Sequence, residues 1–286
     1  MATLKAIRKR ISSIRNTQQI TKAMKMVSAA KLRRAQEAAV QARPYADKMS
    51  ELLRNVGARV AQQAHPLLKA RAEKKIHLLL FTSDRGLCGG YNANLIRAAE
   101  AFIRREGAGK EIHLVLIGRK GADYFRRRRA QIADRHINIF ATPTEELAAA
   151  VTEKAIDRFV KGETDAVYLL YSRFRSALSQ VPTLEKLLPV ALSETANADQ
   201  LTEYIYEPSI EALLASLLPK VAEVAILRAL LEATASEHGA RMTAMDSATS
   251  NASKMMGSLT LQMNRARQAS ITRELMEIVG TAEALK

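Results

Sequence analysis

The stretch LKAIRKRISSIRNTQQITKAMKMVSAAKLRRAQEAAVQARPYADKMSELLRNVGARV, residues 4–60, decides the fold. Walked in alternating steps of three and four from Leu4 to Val60, 13 of its 17 positions are apolar. That is the seam of a long helix lying along another helix. The polar exceptions are Gln18, Thr21, Lys25 and Ser28. A second walk, from Ile210 to Ala266, finds 14 apolar positions of 17, broken only by Arg228, His238 and Thr249. Helices are therefore expected over 3–60 and 208–284, with Pro208 in a first turn where its missing N–H costs little and Pro219 predicting a kink. A rise of ~1.5 Å per residue makes them roughly 87 and 115 Å long, more than a globular core needs. Paired antiparallel, the second overhangs the first by about 19 residues, from near residue 265. The second seam itself fails past Ala266, where Ser270 and Arg273 continue it. Two amphipathic helices of a large bundle are the alternative, but heptads sustained this long favour a coiled coil.

Outside these helices about 140 residues remain, the size of one domain. The 286-residue chain is 48% hydrophobic, has no Trp and has one cysteine, Cys88, so no disulfide can form within it and a reducing compartment is expected. No run of ~18 apolar residues is present to span a bilayer, and any membrane association must pass through a partner or a surface. Charge is unevenly spread. Residues 1–75 carry 18 Lys and Arg against four acids, and residues 76–286 carry 26 against 25. An acidic partner should face the first helix: nucleic acid, an anionic membrane or a ring of protein carboxylates. A targeting peptide shares this composition, but the seam set by Leu4, Ile7, Ile11 and Ile14 resumes unchanged at Leu32, so the basic region belongs to the helix.

The middle alternates as an α/β domain. Strand-like runs at Ile76–Thr82, Ile112–Ile117, Ile137–Phe140 and Val167–Tyr171 are separated by helical stretches at about 92–106, 119–130 and 144–161, the spacing of βαβ crossovers. A further extended stretch, Leu201–Tyr206, leads into Pro208. The fold class is thus α/β: a long antiparallel coiled coil of the N- and C-terminal helices with a small parallel-sheet, Rossmann-like domain between them. The expected division is a shaft helix at 1–65, an α/β domain at 75–205 and a second shaft helix at 208–286.

The turn Ser83-Asp84-Arg85-Gly86-Leu87-Cys88-Gly89-Gly90-Tyr91-Asn92 sits where phosphate loops lie, between strand and helix. Its spacing matches neither G-x-G-x-x-G nor G-x-x-x-x-G-K-[ST], and a tight turn needing several positive-φ residues explains its glycines better. Cys88 could be a nucleophile but reads better as a small apolar filler. His65, His77, His113, His136 and His238 lack metal-ligand spacing and read as structural. The run Arg126–Arg129 complements a helix C-terminus. No catalytic, cofactor or metal site is expected.

Three long segments carry a specific resemblance: Asn16–Leu32 (NTQQITKAMKMVSAAKL), the Ser83–Asn92 turn, and Ser236–Asp246 (SEHGARMTAMD) followed by Asn264–Thr272 (NRARQASIT). Together, in this order, they resemble the gamma subunits of F-type ATP synthases, and the resemblance runs from end to end. It implies a non-catalytic central rotor inside a ring of alpha and beta subunits, with the α/β domain at the foot beside the epsilon subunit and the c ring. It implies beta-subunit contacts at Met24, Lys25, Arg267, Gln268, Thr272 and Glu274, and epsilon or c-ring contacts at Tyr204, Tyr206 and Glu207. Lys25 departs from the pattern, standing where many relatives have an acid. The family lends no direct nucleic-acid contact and reaches the membrane through the c ring alone. The start of the chain directly in the shaft, and the lack of the cysteine-bearing segment of plastid relatives, point to a bacterial subunit, peripheral on the cytoplasmic face of the inner membrane. From another class, a nucleic-acid-binding coiled coil would also account for the basic arm, although no aromatics for base stacking interleave its cations.

Overall fold

A computed structural model describes residues 4–57, 65–128, 130–139, 145–191 and 209–284. Helix α1 runs Leu4–Gly57 and helix α5 Ile210–Ala284. Ser209 caps α5, its Oγ accepting the Ala212 N–H at 3.2 Å, and Glu211 places an acid in the first turn, as the helix dipole favours. Pro208 lies outside the described residues. Pro219 sits inside α5, and Pro44, which the seam pattern does not reveal, sits inside α1. The chain divides into two compact units, Met1–Ser28 with Met242–Lys286, and Ala29–Arg241.

The first unit is an antiparallel helix pair. Along α1, Leu4, Ile7, Ile11, Ile14, Gln18, Thr21, Lys25 and Ser28 are buried or half-buried, the positions of the three-four walk. The polar exceptions of the two seams meet one another. Gln18 Nε2 donates to Ser253 Oγ, Thr21 and Thr249 share a hydroxyl hydrogen bond of 2.7 Å, and Lys25 pairs with Asp246. Each pair of residue numbers totals 270 or 271, so Leu4 falls opposite residue 266 or 267. Consistent with that register, every described residue from Ile271 to Thr281 is exposed. α5 continues there as a single helix carrying exposed Ile271, Leu275, Met276, Ile278 and Val279.

The second unit is built on a five-stranded sheet of order β3-β2-β1-β4-β5. Strands β1 (Lys75–Phe81), β2 (Glu111–Ile117), β3 (Ile132–His136) and β4 (Ala166–Phe174) are parallel, and β5 (Gln180–Leu188) is antiparallel to β4. Helices α2 (Tyr91–Glu106) and α3 (Arg119–Arg127) cover one face, burying Leu78, Leu80, Leu114 and Leu116. The other face buries Leu79, Phe81, Val115, Leu169 and Tyr171 under α4 (Glu145–Val160), α5 and Leu53 and Val56 of α1. Two covered faces account for the apolar run of β1, which only His77 interrupts and whose residues from Ile76 onward are all buried.

Two strand expectations change. The sequence pattern places extended structure at Ile137–Phe140, yet the third strand is Ile132–His136. Asn138 has φ 63°, which breaks the extended run, and its N–H is held by Asp84 Oδ1 at 2.8 Å; Phe140 lies outside the described residues. β5 has no counterpart in the sequence pattern because its residues, QVPTLEKLL, are half polar and interrupted by Pro182, a residue tolerated on sheet edges. The stretch Leu201–Tyr206 lies outside the described residues.

The Thr21–Thr249 contact sets a testable expectation. Thr21→Val alone should destabilise the chain by about 1 kcal/mol, and adding Thr249→Val should cost less than Thr249→Val does alone, because the hydroxyl pair is already broken and Thr249 keeps only its bond to the Met245 carbonyl. Urea unfolding of the two single variants and the double variant checks this coupling; strictly additive losses would contradict it.

Candidate functional site

Two of the motifs met in the sequence come together in the second unit. The Ser83–Asn92 turn leaves β1 and enters α2, and its carbonyl oxygens are turned toward α5. Arg241 fills that position: Nε and Nη2 donate to the Gly86 carbonyl at 3.2 Å, and Nη2 also reaches the Arg85 carbonyl at 3.2 Å. Converging carbonyls suit a guanidinium and repel a phosphate, which gives the turn a positive structural role. Its glycines need less unusual backbone than the sequence suggests. Only Gly89 (φ 56°) lies in the left-handed region, and Leu87 (φ 63°) shares that conformation without being glycine. The turn is braced from within by Asn92, whose Oδ1 accepts the Ser83 N–H at 3.0 Å while its amide donates to Cys88 Sγ at 3.1 Å. Burial pushes the Cys88 thiol up, away from the thiolate that a nucleophile requires.

Around Arg241 the helix supplies further partners. Its Nη2 donates to Glu237 Oε1 at 2.6 Å, one turn earlier, and Nη1 approaches His238 Nδ1 at 3.2 Å. The Arg241 and Glu237 side chains are only 8% and 5% exposed, so this pair is out of water. Burial raises the Glu237 carboxyl, opposed by Arg241, and Glu237 Oε2 has no hydrogen-bond partner among the described residues. The Tyr91 hydroxyl donates to the Ala233 carbonyl and the Ser236 hydroxyl to the Ser172 carbonyl near the end of β4. Gly239 completes the fit: a Cβ there would stand 3.2 Å from the Phe174 ring and 3.4 Å from the Ala177 backbone. A second tie lies earlier on the same helix. Glu185 of β5 accepts from Arg228 of α5 at 2.6 Å and, on its other oxygen, from Arg173 at 2.6 Å and the Tyr171 hydroxyl at 3.0 Å.

These contacts make α5 between Leu214 and Arg241 a helix buried on several faces. The seam arithmetic misses that breadth. A signal was available in composition, since from Val221 to Ser236 only Glu223, Arg228 and Glu232 are charged. Ala222, Ile226, Ala229, Leu230 and Ala233 fall off the three-four walk, yet all are buried. Arg228 and His238, which break the walk, are the ion-pair partner of Glu185 and the neighbour of Arg241.

The residues singled out for partner contact form two separate sets in the first unit. Met24 and Lys25 are half-buried on α1, and Lys25 is engaged by Asp246 of the same chain. Arg267, Gln268, Thr272 and Glu274 are exposed on α5, with Glu274 accepting from Ser270 Oγ at 3.1 Å. From Asp246 to Arg267 the helix rises about 30 Å, so the sets lie at different levels of the coil. Tyr204, Tyr206 and Glu207 lie outside the described residues.

The histidines have structural neighbours. His65 Nδ1 accepts the Leu67 N–H, and the His77 and His113 rings stand 5.4 Å apart on adjacent strands. His136 lies beside Asp134, and burial lowers it. His77 and His238 are both held at a pKa of about 4, chiefly by burial, then by Arg158 and His113 for the first and by Arg241 and Lys31 for the second.

A family model described as ATP synthase matches residues 3–285. The chain is 53% identical to the ATP synthase gamma chain of Geobacter metallireducens and 50% identical to that of an Anaeromyxobacter species, in each case over the full length of both chains. Among solved structures it is similar to a chain in the central stalk and c ring of the Tetrahymena thermophila mitochondrial ATP synthase, at a TM-score of 0.61 and 26% identity, covering 80% of this chain and 99% of that one. A chain of the Euglena gracilis mitochondrial enzyme shares the fold at a TM-score of 0.70 and 21% identity, covering 99% and 94%.

Arg241→Ala should cost about 3–5 kcal/mol, because it leaves Glu237 buried without its cation. Thermal unfolding checks this, and replacing both with apolar residues, Arg241→Met and Glu237→Leu, should cost less than Arg241→Ala alone. The histidines set the acid limb. With a folded pKa of about 4 against an ordinary 6.5, His77 and His238 stay neutral in the fold while the unfolded chain binds protons. Their stabilisation is complete above pH 6.5 and is lost as the pH falls toward 4. Urea midpoints at pH 7 and pH 5 should therefore converge in a His77→Gln, His238→Gln variant relative to the unmodified chain.

Proposed function

The chain belongs to the ATP synthase gamma-chain family, and on that premise we propose that it is the central rotor of a bacterial F-type ATP synthase, without catalytic groups of its own. It turns inside a ring of alternating alpha and beta subunits and couples ion flow through the c ring to ATP synthesis or hydrolysis. The observation that carries this reading is the unpaired apolar tip of α5, a helix end suited to enclosure by other subunits. An asymmetric coil presents a different face to each surrounding subunit, so its rotation shifts which conformation each one favours. The nucleotide sites belong to the ring.

In this reading the shaft comprises residues 1–65 and 208–286 and the foot residues 75–205. Met24 and Lys25 meet beta subunits at one level, and Arg267, Gln268, Thr272 and Glu274 meet them at the upper bearing. Because Asp246 engages Lys25 within the chain, its charge is partly satisfied before any beta carboxylate arrives. Tyr204, Tyr206 and Glu207 serve the epsilon subunit and c ring. The foot stands on the c ring at the cytoplasmic face of the inner membrane. The buried tie of Arg241 to the turn and the tie of Glu185 to α5 support this role, since a foot must not slip on the helix that it turns.

The direct test is ATP hydrolysis by alpha and beta subunits of a bacterial relative with and without this chain, alongside the mass of the product. One chain should join each ring and stimulate turnover while having none alone; a chain that stays outside the ring and binds duplex DNA instead would sink the rotor reading. Removal of residues 268–286 should preserve joining far better than torque, measured as rotation against load.

A further inference from the structure

A second basic focus, hidden in the nearly neutral balance of residues 76–286, lies on the foot. Residues 97–131 hold ten Lys and Arg against four acids. The cations gather where two neighbouring helices end. α2 finishes with Arg104 and Arg105, and α3 with Arg126 and Arg127, capped by Arg128. The two helices touch in their C-terminal halves: Glu100 of α2 accepts from the Tyr124 hydroxyl at 2.7 Å and lies 3.7 Å from Arg128, which stacks over the Tyr124 ring at 3.9 Å. All five arginines are exposed.

The nearby acids are largely engaged. Glu106 accepts from Arg105 and Lys110, Glu100 faces Arg128, and Asp123 lies 3.9 Å from Arg126. Arg104 and Arg127 have no ion-pair partner among the described residues. One or two cations per helix end complement the dipole. Five on adjoining ends repel one another, and that arrangement calls for an external anion. Beside them runs an open groove of about 560 Å³ lined by Ile103, Ile112, Arg104 and Lys110; Glu111 is the one acid lining it.

The direction of the patch follows from internal contacts. Ser236 of α5 bonds the Ser172 carbonyl near the end of β4, and Arg228, two turns earlier, bonds Glu185, which is paired with Leu169. α5 therefore runs parallel to β4 and begins at the end of the sheet where the parallel strands begin. The C-termini of α2 and α3 lie at that same end: Glu111, just after α2, donates its N–H to the Lys74 carbonyl at the start of β1, and Gln131, just after α3, accepts from Leu114 of β2.

We infer that this arginine-rich end of the foot makes a direct contact with the anionic phospholipid headgroups of the membrane surface. The inference rests on the rotor reading, which turns the strand-start end of the foot toward the c ring. It extends that reading, in which the membrane is reached through the c ring. Arginine guanidinium groups bind phosphate in a fork, the groove offers the apolar side chains of Ile103 and Ile112 to the glycerol region, and several exposed cations suit a charged surface better than a single ligand.

The test uses the full chain with the competing basic arm neutralised (Lys5→Gln, Arg8→Gln, Lys9→Gln, Arg10→Gln), floated with phosphatidylcholine vesicles with or without phosphatidylglycerol at moderate salt. Binding should require phosphatidylglycerol. Adding Arg104→Gln, Arg126→Gln and Arg127→Gln should lower it by roughly a hundredfold, the loss expected of three basic side chains at a membrane surface. Equal binding by both proteins, or none by the arm-neutralised chain, would overturn the lipid contact. So would a foot variant that keeps vesicle binding but loses affinity for a poly-glutamate peptide, which would assign the patch to an acidic protein segment. Stimulation of alpha–beta ATPase is measured with the basic arm intact, on the chain with and without the three foot substitutions. A chain that enters the ring yet ignores vesicles removes the lipid contact alone, whereas failure to enter the ring removes the rotor reading.

Discussion

The burial of α5 between Leu214 and Arg241 is the constraint from which the second unit follows. A helix that is half of a two-helix seam needs one apolar stripe, but this stretch meets the sheet, α4 and α1 and is apolar on most of its circumference. Its buried ion pair, Glu237–Arg241, is tolerated because loop carbonyls take up the remaining guanidinium donors. The Gly-rich turn, which invites a phosphate reading by position, is thereby committed to the helix. The same residues that deny the turn to an anion attach the α/β domain to α5.

The first unit solves a different problem. Long heptad seams slip easily, since one heptad resembles the next. Gln18 with Ser253, Thr21 with Thr249 and Lys25 with Asp246 form consecutive polar layers that are satisfied in one register only. Each layer gives up apolar burial, and in exchange the pairing acquires a definite alignment. The exposed Lys25–Asp246 bridge adds little stability in itself, and its place in the alignment matters more than its energy.

Legibility in the sequence tracked how much each element depends on its own neighbours. The seams of α1 and α5 have strong periodicity, the apolar runs of Ile76–Phe81 and Ile112–Ile117 are broken only by His77 and His113, and all four are readable to within a few residues. β3 and β5 are edge strands whose sequences are half polar, and β5 contains Pro182, so only their pairing to β2 and β4 identifies them. The site was legible as motifs and illegible as a contact. Nothing in the spacing of Ser83–Asn92 and Ser236–Asp246 says that Arg241 enters the turn, because Gly86 and Arg241, 155 residues apart, are brought together by tertiary structure. The polar exceptions Thr21 and Thr249 were visible one at a time, and their partnership required the register.

The bare end of α5 has a consequence for the life of the chain before assembly. From Ile271 onward the helix has no partner among the described residues of the first unit, and Ile271, Leu275, Met276, Ile278 and Val279 are each at least half exposed. A single helix of this length is marginal in water, and its apolar surface is open to any other exposed hydrophobe. On the rotor reading, copies made in excess of the ring subunits would leave this surface open to one another, and the tip would act as a built-in penalty on unmatched stoichiometry.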